Sequence, residues 1–114
     1  MTSFAFQQVS PDLCIAGQLD PAAMAWAAQQ GFRSVINNRP DFEAGPEQPA
    51  NALIEAAAVA AGLAYAYLPV APGYHSPEEI ARFAELLETM PKPVLAFCRS
   101  GARTGRLFLA AVRG

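Results

Sequence analysis

The chain has 114 residues, of which 53% are apolar and 16% charged, and its formal net charge at pH 7 is −2. These values predict one folded domain over 1–114 that needs no disulfide or structural metal, and they exclude an intrinsically disordered chain. No basic run indicates a nucleic-acid site, and no stretch has the length and apolarity of a membrane span. The first residues lack a positive start followed by an apolar run, so we expect no secretory signal and a cytoplasmic location.

Short apolar strands alternate with helices along the chain, which predicts an α/β fold with a mostly parallel sheet of 4–5 strands flanked by helices. The first predicted elements are an edge hairpin over 4–16, a helix over 20–31, a strand over 33–37, a loop over 38–49 and a helix over 50–61. The later elements are an inner strand over 64–70, a helix over 76–90 with a capping box, a buried strand over 93–97 and a helix over 104–112.

Three loops are expected to meet at one edge of this sheet. Ligands of open parallel sheets bind beyond the carboxyl ends of the strands. The segments that follow the predicted strands at that edge are 37–39, 71–75 and 98–104. The chemistry of the protein is therefore sought in these three segments.

Segment 98–104 places a cysteine between a buried strand and a helix. Consecutive N–H groups in such a loop can form an anion-binding nest, and the start of a helix adds further unpaired N–H groups. Arg103 adds a fork of donors suited to an oxyanion. Such surroundings lower a cysteine pKa from ~8.5 to roughly 3.5–7.5 and favour the reactive thiolate. We therefore interpret Cys98 as a nucleophile and Arg103 as its catalytic partner, the alternative being that Cys98 is a buried core residue.

The motif from Cys98 to Arg103 resembles the active-site loop of rhodanese-type sulfurtransferases. The rest of the chain resembles the cysteine-based dual-specificity phosphatase superfamily, and most closely a bacterial family of beta-lactamase-hydrolase-like phosphatase-like domains, also described as sulfur transferases. The segments that carry this resemblance are 16–18, 31–41, 67–70 and 98–104. The resemblance implies a phosphatase-like α/β sandwich whose Cys loop lies between a central strand and a helix. It also implies that the loop and the first helical residues bind substrate: Arg99, Ser100, Gly101, Ala102, Thr104 and Gly105.

Two departures from the phosphatase pattern favour sulfur chemistry. Phosphatases of the superfamily have five residues between Cys and Arg, whereas four lie between Cys98 and Arg103, and Thr104 occupies the next position. The phosphatases also place an Asp after the preceding strand as general acid, and 70–75 contains none. A sulfur donor with a good leaving group needs no such acid. The main hypothesis is therefore a sulfurtransferase that forms a Cys98 persulfide from thiosulfate or another persulfide.

Two alternatives stay open. One is a phosphatase that acts on a phosphoester through a phosphocysteine, and the other is a non-catalytic anion-binding or sulfur-relay module that serves a partner protein of sulfur metabolism. Auxiliary roles at the site are open for four residues, each of which also has a purely structural interpretation: His75, Asn38, Arg39 and Asp41. We expect no metal and no cofactor, because one His and two separated Cys do not supply a ligand set. Cys14 is interpreted as an inert buried residue or as a resolving thiol.

Overall fold

The computed structural model describes residues 4–113. The strands are β1 (Phe6–Ser10), β2 (Leu13–Ala16), β3 (Ser34–Asn37), β4 (Ala64–Tyr67) and β5 (Val94–Phe97). The helices are α1 (Pro21–Gln29), α2 (Asn51–Ala60), α3 (Pro77–Thr89) and α4 (Ala102–Arg113). None of these helices is long and apolar enough to span a bilayer.

The helices begin where their capping residues predict. The Asp20 side chain accepts a hydrogen bond from the Ala23 N–H at the start of α1, and Ser76 and Glu79 form a reciprocal capping box at the start of α3. Helix α2 has Ala50 at its N-cap, which has no side-chain acceptor. This end of α2 is therefore capped from a distant part of the chain, as described below.

The sheet has the order β1-β2-β5-β3-β4, with β1 antiparallel to β2 and the other pairs parallel. Phe97 at the end of β5 is in register with Ala16 of β2 on one side and with Asn37 of β3 on the other. Asn37 is in turn in register with Tyr67 of β4. The chain therefore leaves these four strands at one edge, which brings the loops after them together.

Alternate residues of the sheet face two separate hydrophobic layers. One layer includes Leu95 and Phe97 of β5 with Met24 and Trp26 of α1, and α2 lies on the same side. The other layer includes Val94 and Ala96 with side chains of α3 and α4, such as Phe83 and Leu107. Because β5 is central and covered on both faces, all four of its residues are buried, as the wholly apolar sequence predicts.

The predicted α/β architecture is confirmed, with two corrections. The strand expected over 64–70 ends at Tyr67 and lies at the edge of the sheet, so its interpretation as an inner strand is wrong. Its apolar sequence reflects contact of Tyr65 with the layer that includes α2, and of Ala64 and Ala66 with the opposite layer, rather than pairing with a strand on each side. The last helix begins at Ala102 rather than at Thr104, so Arg103 lies in its first turn and not in the preceding loop.

Candidate active site

Cys98 lies directly after the central strand and is 1% exposed. Its N–H donates to the Ala16 carbonyl of β2, and the Asn38 N–H donates to the Phe97 carbonyl just before it. The chain then turns through Arg99 and Ser100 into α4. The sulfur is therefore fixed at the middle of the loop-bearing edge of the sheet, where the sequence places it.

The loop directs several donors at the Cys98 sulfur. The Gly101 N–H donates to Sγ at 3.1 Å, and the N–H groups of Ser100 and Thr104 lie close enough to the sulfur to favour its charged form. Burial by itself raises the pKa of the Cys98 thiol, but these N–H groups and the Thr104 hydroxyl outweigh burial, so the pKa lies below its ordinary value. Hydrogen bonds to the charged form are therefore what favour the thiolate at this site.

The tight turn of the loop depends on two glycines. Gly101 has φ +94°, and a Cβ there would lie 3.2 Å from Ile15 Cγ2. Gly17, which follows β2, approaches the loop so closely that a Cβ would lie 3.1 Å from the Arg99 carbonyl oxygen. The next residue, Gln18, donates its N–H to that same oxygen at 3.1 Å. Segment 16–18 thus supports the Cys98 loop from the side of β2.

Arg103 is buried and its guanidinium is held at one edge. Nη1 donates to Glu43 Oε2 at 3.0 Å and to the Val70 carbonyl at 3.1 Å, and Nη2 donates to Glu43 Oε1 at 3.0 Å. A guanidinium has five N–H groups in one plane, so the Nε–H and the second Nη2 hydrogen remain on the other edge. Nε is buried and has no partner within residues 4–113. Arg103 therefore keeps a two-donor edge that an oxyanion can occupy.

Glu43 connects a second buried arginine to the site. Arg39 Nε donates to Glu43 Oε1 at 2.9 Å, and Arg39 Nη1 donates to Gln18 Oε1 at 3.0 Å. The hydrogen bond from Arg103 and a weaker one from Arg39 hold the pKa of Glu43 below its ordinary range, against the opposing effect of burial. Two guanidinium groups and one carboxylate give this cluster a net charge of +1, which suits an anionic ligand. Of the two carboxylates that follow Arg39 in this loop, Asp41 and Glu43, the structure pairs Arg39 with Glu43.

Asn38 and Thr104 form a buried pair beside the sulfur, and both are 0% exposed. The Thr104 hydroxyl donates to Asn38 Oδ1 at 3.0 Å, and Asn38 Nδ2 donates to the Leu68 carbonyl at 2.9 Å. The loop after β3, the segment after β4 and the start of α4 are thereby tied together. Asn37 points to the other side of the strand, where its amide bonds to Asn51.

Asp41 is held away from the sulfur. Its Oδ1 accepts the Asn51 N–H at 2.8 Å, which supplies the cap that Ala50 cannot provide at the start of α2. The Tyr67 hydroxyl accepts the Asp41 N–H at 2.9 Å. These hydrogen bonds are those expected for a purely structural role of Asp41.

The other predicted site residues differ in their exposure and in their contacts. Arg99 and Ser100 are exposed, and Ser100 Oγ accepts the Ala102 N–H at 3.4 Å. Gly105 lines a groove of about 580 Å³ between the β1–β2 hairpin and α4. Cys98 is not among the residues that line this groove. His75 is partly buried in the loop after β4, and its Nδ1 finds no partner within the described part of the chain. In residues 4–113, no three His, Cys, Asp or Glu side chains form a metal-binding group.

Sequence reasoning missed Gln18 as part of the site, and it did not predict that Glu43 binds Arg103 as well as Arg39. Gln18 lies in one of the segments that carry the family resemblance, but nothing in the sequence shows that its amide contacts Arg39. Glu43 lies in a loop of 38–49 whose path the sequence does not define. The available signal was charge, because two arginines at one edge of a sheet require a carboxylate when both are buried.

Together the fold and the site define a cysteine-based, phosphatase-like α/β domain, with the nucleophile candidate between a central strand and a helix. The family model for the beta-lactamase hydrolase-like protein, phosphatase-like domain, matches residues 5–112. The chain belongs to this family, which confirms the resemblance stated from the sequence.

The relatives are longer proteins. A beta-lactamase hydrolase-like protein from Agrobacterium fabrum is 36% identical over 102 residues, which are 90% of this chain and 23% of that protein. A protein of the same name from Xylella fastidiosa is 38% identical over 100 residues, which are 88% of this chain and 23% of the relative. A crystal structure from Neisseria meningitidis, provisionally named a phosphatase, is 32% identical with a TM-score of 0.82, and the match covers 90% of this chain and 72% of that one. The chain thus spans about a quarter of the length of these curated relatives.

Proposed function

We propose that the protein is a cysteine-dependent phosphatase that hydrolyses a phosphomonoester through a phosphocysteine on Cys98. The observation that carries this proposal is the free edge of Arg103, whose buried Nε has no partner within residues 4–113, in the same loop-and-helix segment as the buried Cys98 sulfur that accepts the Gly101 N–H. The family and the similarity to the Neisseria structure support phosphate chemistry over the sulfurtransferase hypothesis. A small anionic substrate fits the net positive charge of the site.

The reaction has two displacements at phosphorus. In the first, the Cys98 thiolate forms a P–S bond while the P–O bond to the leaving group breaks, and the leaving oxygen takes the electron pair. In the second, water attacks phosphorus, the P–S bond breaks with its electron pair returning to sulfur, and the water proton passes to solvent. The two free donors of Arg103 bind the equatorial oxygens, where charge is held during both steps.

The leaving group receives little help from the protein in this arrangement. Asp41 is engaged in capping α2, and Glu43 is a paired carboxylate whose lowered pKa keeps it ionised near neutral pH, so neither is placed as a general acid. General acid catalysis typically contributes about 10²–10⁴-fold. We therefore propose that the enzyme acts on substrates with good leaving groups, such as aryl phosphates, and turns over alkyl phosphates more slowly.

Aryl phosphate hydrolysis by three proteins tests the proposal. The wild type is expected to release phosphate, Cys98→Ser to lose activity by about 10³-fold or more, and Cys14→Ala to retain it. Cys14 is a matched control because it is also a buried thiol, but burial raises its pKa and it lies in β2. Vanadate is expected to compete with the substrate. Hydrolysis that persists in Cys98→Ser would contradict the proposal.

Sulfur transfer is the second candidate, because four residues rather than five separate Cys98 from Arg103. A shorter loop gives a narrower ring of N–H groups, which suits a single sulfane sulfur on Cys98. Incubation with thiosulfate followed by intact mass measurement tests it. Sulfurtransferase chemistry predicts a gain of one sulfur atom that Cys98→Ser abolishes, together with thiocyanate on addition of cyanide. An unchanged mass would remove this candidate.

A further inference from the structure

The exposed aromatic side chains of the protein are concentrated at the edge of the sheet that bears Cys98. Four aromatic side chains within residues 4–113 are exposed, and three of them lie at this edge: Phe42 in the loop after β3, Tyr67 at the end of β4, and Tyr74 in the segment that follows. The fourth, Phe6, packs against the tryptophan of α1. Exposed apolar side chains that cluster beside polar groups mark interaction sites, so the three rings at this edge call for a ligand.

Phe42 has a backbone conformation that a phenylalanine rarely adopts. Its φ is +64°, and within residues 4–113 it is the one non-glycine residue with a positive φ. This left-handed region is unfavourable for a bulky residue, and such strain is found most often at functional sites. The side chain is 72% exposed, so packing inside the protein does not explain a phenylalanine at this position.

Both neighbours of Phe42 are fixed by hydrogen bonds, so its position beside the site is fixed as well. On one side, Asp41 caps α2 and donates its N–H to the Tyr67 hydroxyl at 2.9 Å. On the other side, Glu43 accepts hydrogen bonds from both terminal nitrogens of Arg103. Consecutive Cα atoms are about 3.8 Å apart, so Phe42 lies directly next to the residue that orients Arg103.

The direction of the leaving group follows from the burial of Cys98. Displacement at phosphorus requires the nucleophile and the leaving group to lie roughly in line on opposite sides of the phosphorus atom. The Cys98 sulfur belongs to a residue that is 1% exposed, so the leaving group of a phosphate held by Arg103 points outward, to the solvent side of the site. Arg103 itself is bonded to Glu43 of one loop and to the Val70 carbonyl of the other, so the leaving group emerges between the loops that carry the exposed rings.

We propose that Phe42 is a specificity-determining residue whose ring contacts the aromatic ring of an aryl phosphate bound at Cys98 and Arg103. Edge-to-face and offset contacts between two rings are favourable beyond the apolar area that they bury, and an alkyl leaving group cannot make them. The inference rests on the proposed phosphatase function and adds the residue that selects the leaving group. If Phe42 is instead an ordinary exposed loop residue, the affinity for a ligand does not depend on its ring.

The experiment compares the binding of phenylphosphonate and methylphosphonate by calorimetry. Both carry the same anionic group on a P–C bond that hydrolysis of a phosphoester does not cleave, and they differ in the ring. The wild type is expected to bind phenylphosphonate more tightly. Phe42→Ala is expected to weaken phenylphosphonate about three- to tenfold and to leave methylphosphonate and vanadate unchanged, whereas Phe42→Tyr keeps the wild-type affinities. The matched control Val59→Ala truncates a similarly exposed side chain near the end of α2 and is expected to change none of them.

Phe42→Gly separates the ring from the conformation of the loop. Glycine adopts a φ of +64° without strain, so this variant is expected to unfold at or above the wild-type temperature and still to lose the affinity that depends on the ring. A lower unfolding temperature with equal losses for both phosphonates would show that Phe42 holds the loop in place, and it would overturn the proposal. A wild type without preference for phenylphosphonate, or a Phe42→Ala variant that keeps this preference, would overturn it too.

Binding of phosphonates needs no turnover, so its outcome is separate from the test of phosphatase activity. A chain that binds phenylphosphonate through Phe42 but hydrolyses no phosphoester would lose the proposed function and keep the aromatic contact. A chain that hydrolyses aryl phosphates equally well with Phe42 or with alanine at this position would keep the proposed function and lose this inference. When both hold, Phe42→Ala raises KM for the aryl phosphate about three- to tenfold with little change in kcat, because the ring contact is present before and during the reaction.

Discussion

Arg103 and Glu43 are joined by two hydrogen bonds of 3.0 Å, one from each terminal guanidinium nitrogen to a different carboxylate oxygen. Glu43 thereby holds the outer edge of the guanidinium, and the edge that includes Nε stays free. The Glu43 side chain is 21% exposed to solvent, whereas the Arg103 side chain is 7% exposed. A partly exposed carboxylate thus fixes the orientation of a buried arginine and determines which of its edges is left for the proposed substrate.

Glu43→Gln is expected to impair substrate binding by misaligning Arg103. The glutamine side-chain oxygen would still accept a hydrogen bond from one terminal nitrogen of Arg103. Its NH₂ group, however, would face the other terminal nitrogen, and two donors cannot bond to each other. We therefore expect the guanidinium to rotate and its free edge to turn away from the site. Misplacement of this kind costs up to about 10²-fold in kcat/KM, and we expect most of the loss in KM and in vanadate affinity. Steady-state kinetics with an aryl phosphate measures both.

The matched control is Glu47→Gln, an exposed carboxylate in the same loop. It removes the same charge without touching Arg103, so its kinetic constants are expected to stay near those of the wild type. Equal losses in the two variants would show that net charge, and not the aim of Arg103, governs the site.

Glu43 also predicts a pH dependence of stability. Its pKa is lower in the folded protein, mainly because of the hydrogen bond from Arg103, so the folded state favours the ionised carboxylate. The resulting stabilisation is fully present above the ordinary Glu pKa and is lost as pH falls through the folded value. Its size is at most about 1 kcal/mol, because the carboxylate is partly solvated.

Urea unfolding of wild type and Glu43→Gln at several pH values measures this contribution. The difference in free energy of unfolding is expected to be constant near neutral pH and to shrink in the acid range below about pH 4.5. A difference that grows as pH falls would contradict the assigned direction of the Glu43 pKa.

Two glycines four residues apart are expected to respond oppositely to alanine. At Gly101, with φ +94°, a Cβ would lie 3.2 Å from Ile15 Cγ2, so Gly101→Ala should destabilise the fold by about 1–3 kcal/mol and distort the donor ring. At Gly105, within α4, a Cβ would meet nothing within 4 Å, so Gly105→Ala should stabilise by roughly 0.5–1 kcal/mol. Thermal unfolding of both variants measures these changes, and destabilisation by Gly105→Ala would be contrary to this account.

Asp41→Ala distinguishes capping from acid catalysis. Loss of the hydrogen bond to the Asn51 N–H should lower stability by about 1 kcal/mol, as for other helix caps. Aryl phosphate hydrolysis and its pH profile are expected to keep their shape. The loss of one limb of the pH–rate profile would instead show that Asp41 donates a proton in the reaction.

The sequence was sufficient for the features that depend on local chemistry. The caps at Asp20 and Ser76, the buried strand before Cys98 and the turn at Gly101 each follow from residue type and neighbours in sequence. The rule that ligands bind beyond the carboxyl ends of parallel strands placed segments 37–39, 71–75 and 98–104 at one edge of the sheet.

The features that the sequence did not predict depend on contacts between distant residues. The pairing of Glu43 with Arg103 spans 60 positions, and the Asn38–Thr104 hydrogen bond spans 66. The position of β4 at the sheet edge is likewise set by strand order, because an apolar strand of 64–67 fits either an inner or an edge position. Local propensity carries no information about such pairings.

The most direct measurement of the central claim is mass spectrometry of the protein quenched in acid during turnover of an aryl phosphate. The account predicts a phosphoryl group on the peptide that contains Cys98, its absence in Cys98→Ser, and its decay at the rate of phosphate release. Hydrolysis without a phosphorylated Cys98 peptide would contradict it. So would a Cys98 peptide that gains no phosphoryl group during turnover of the aryl phosphate but gains a sulfur atom after a separate incubation with thiosulfate.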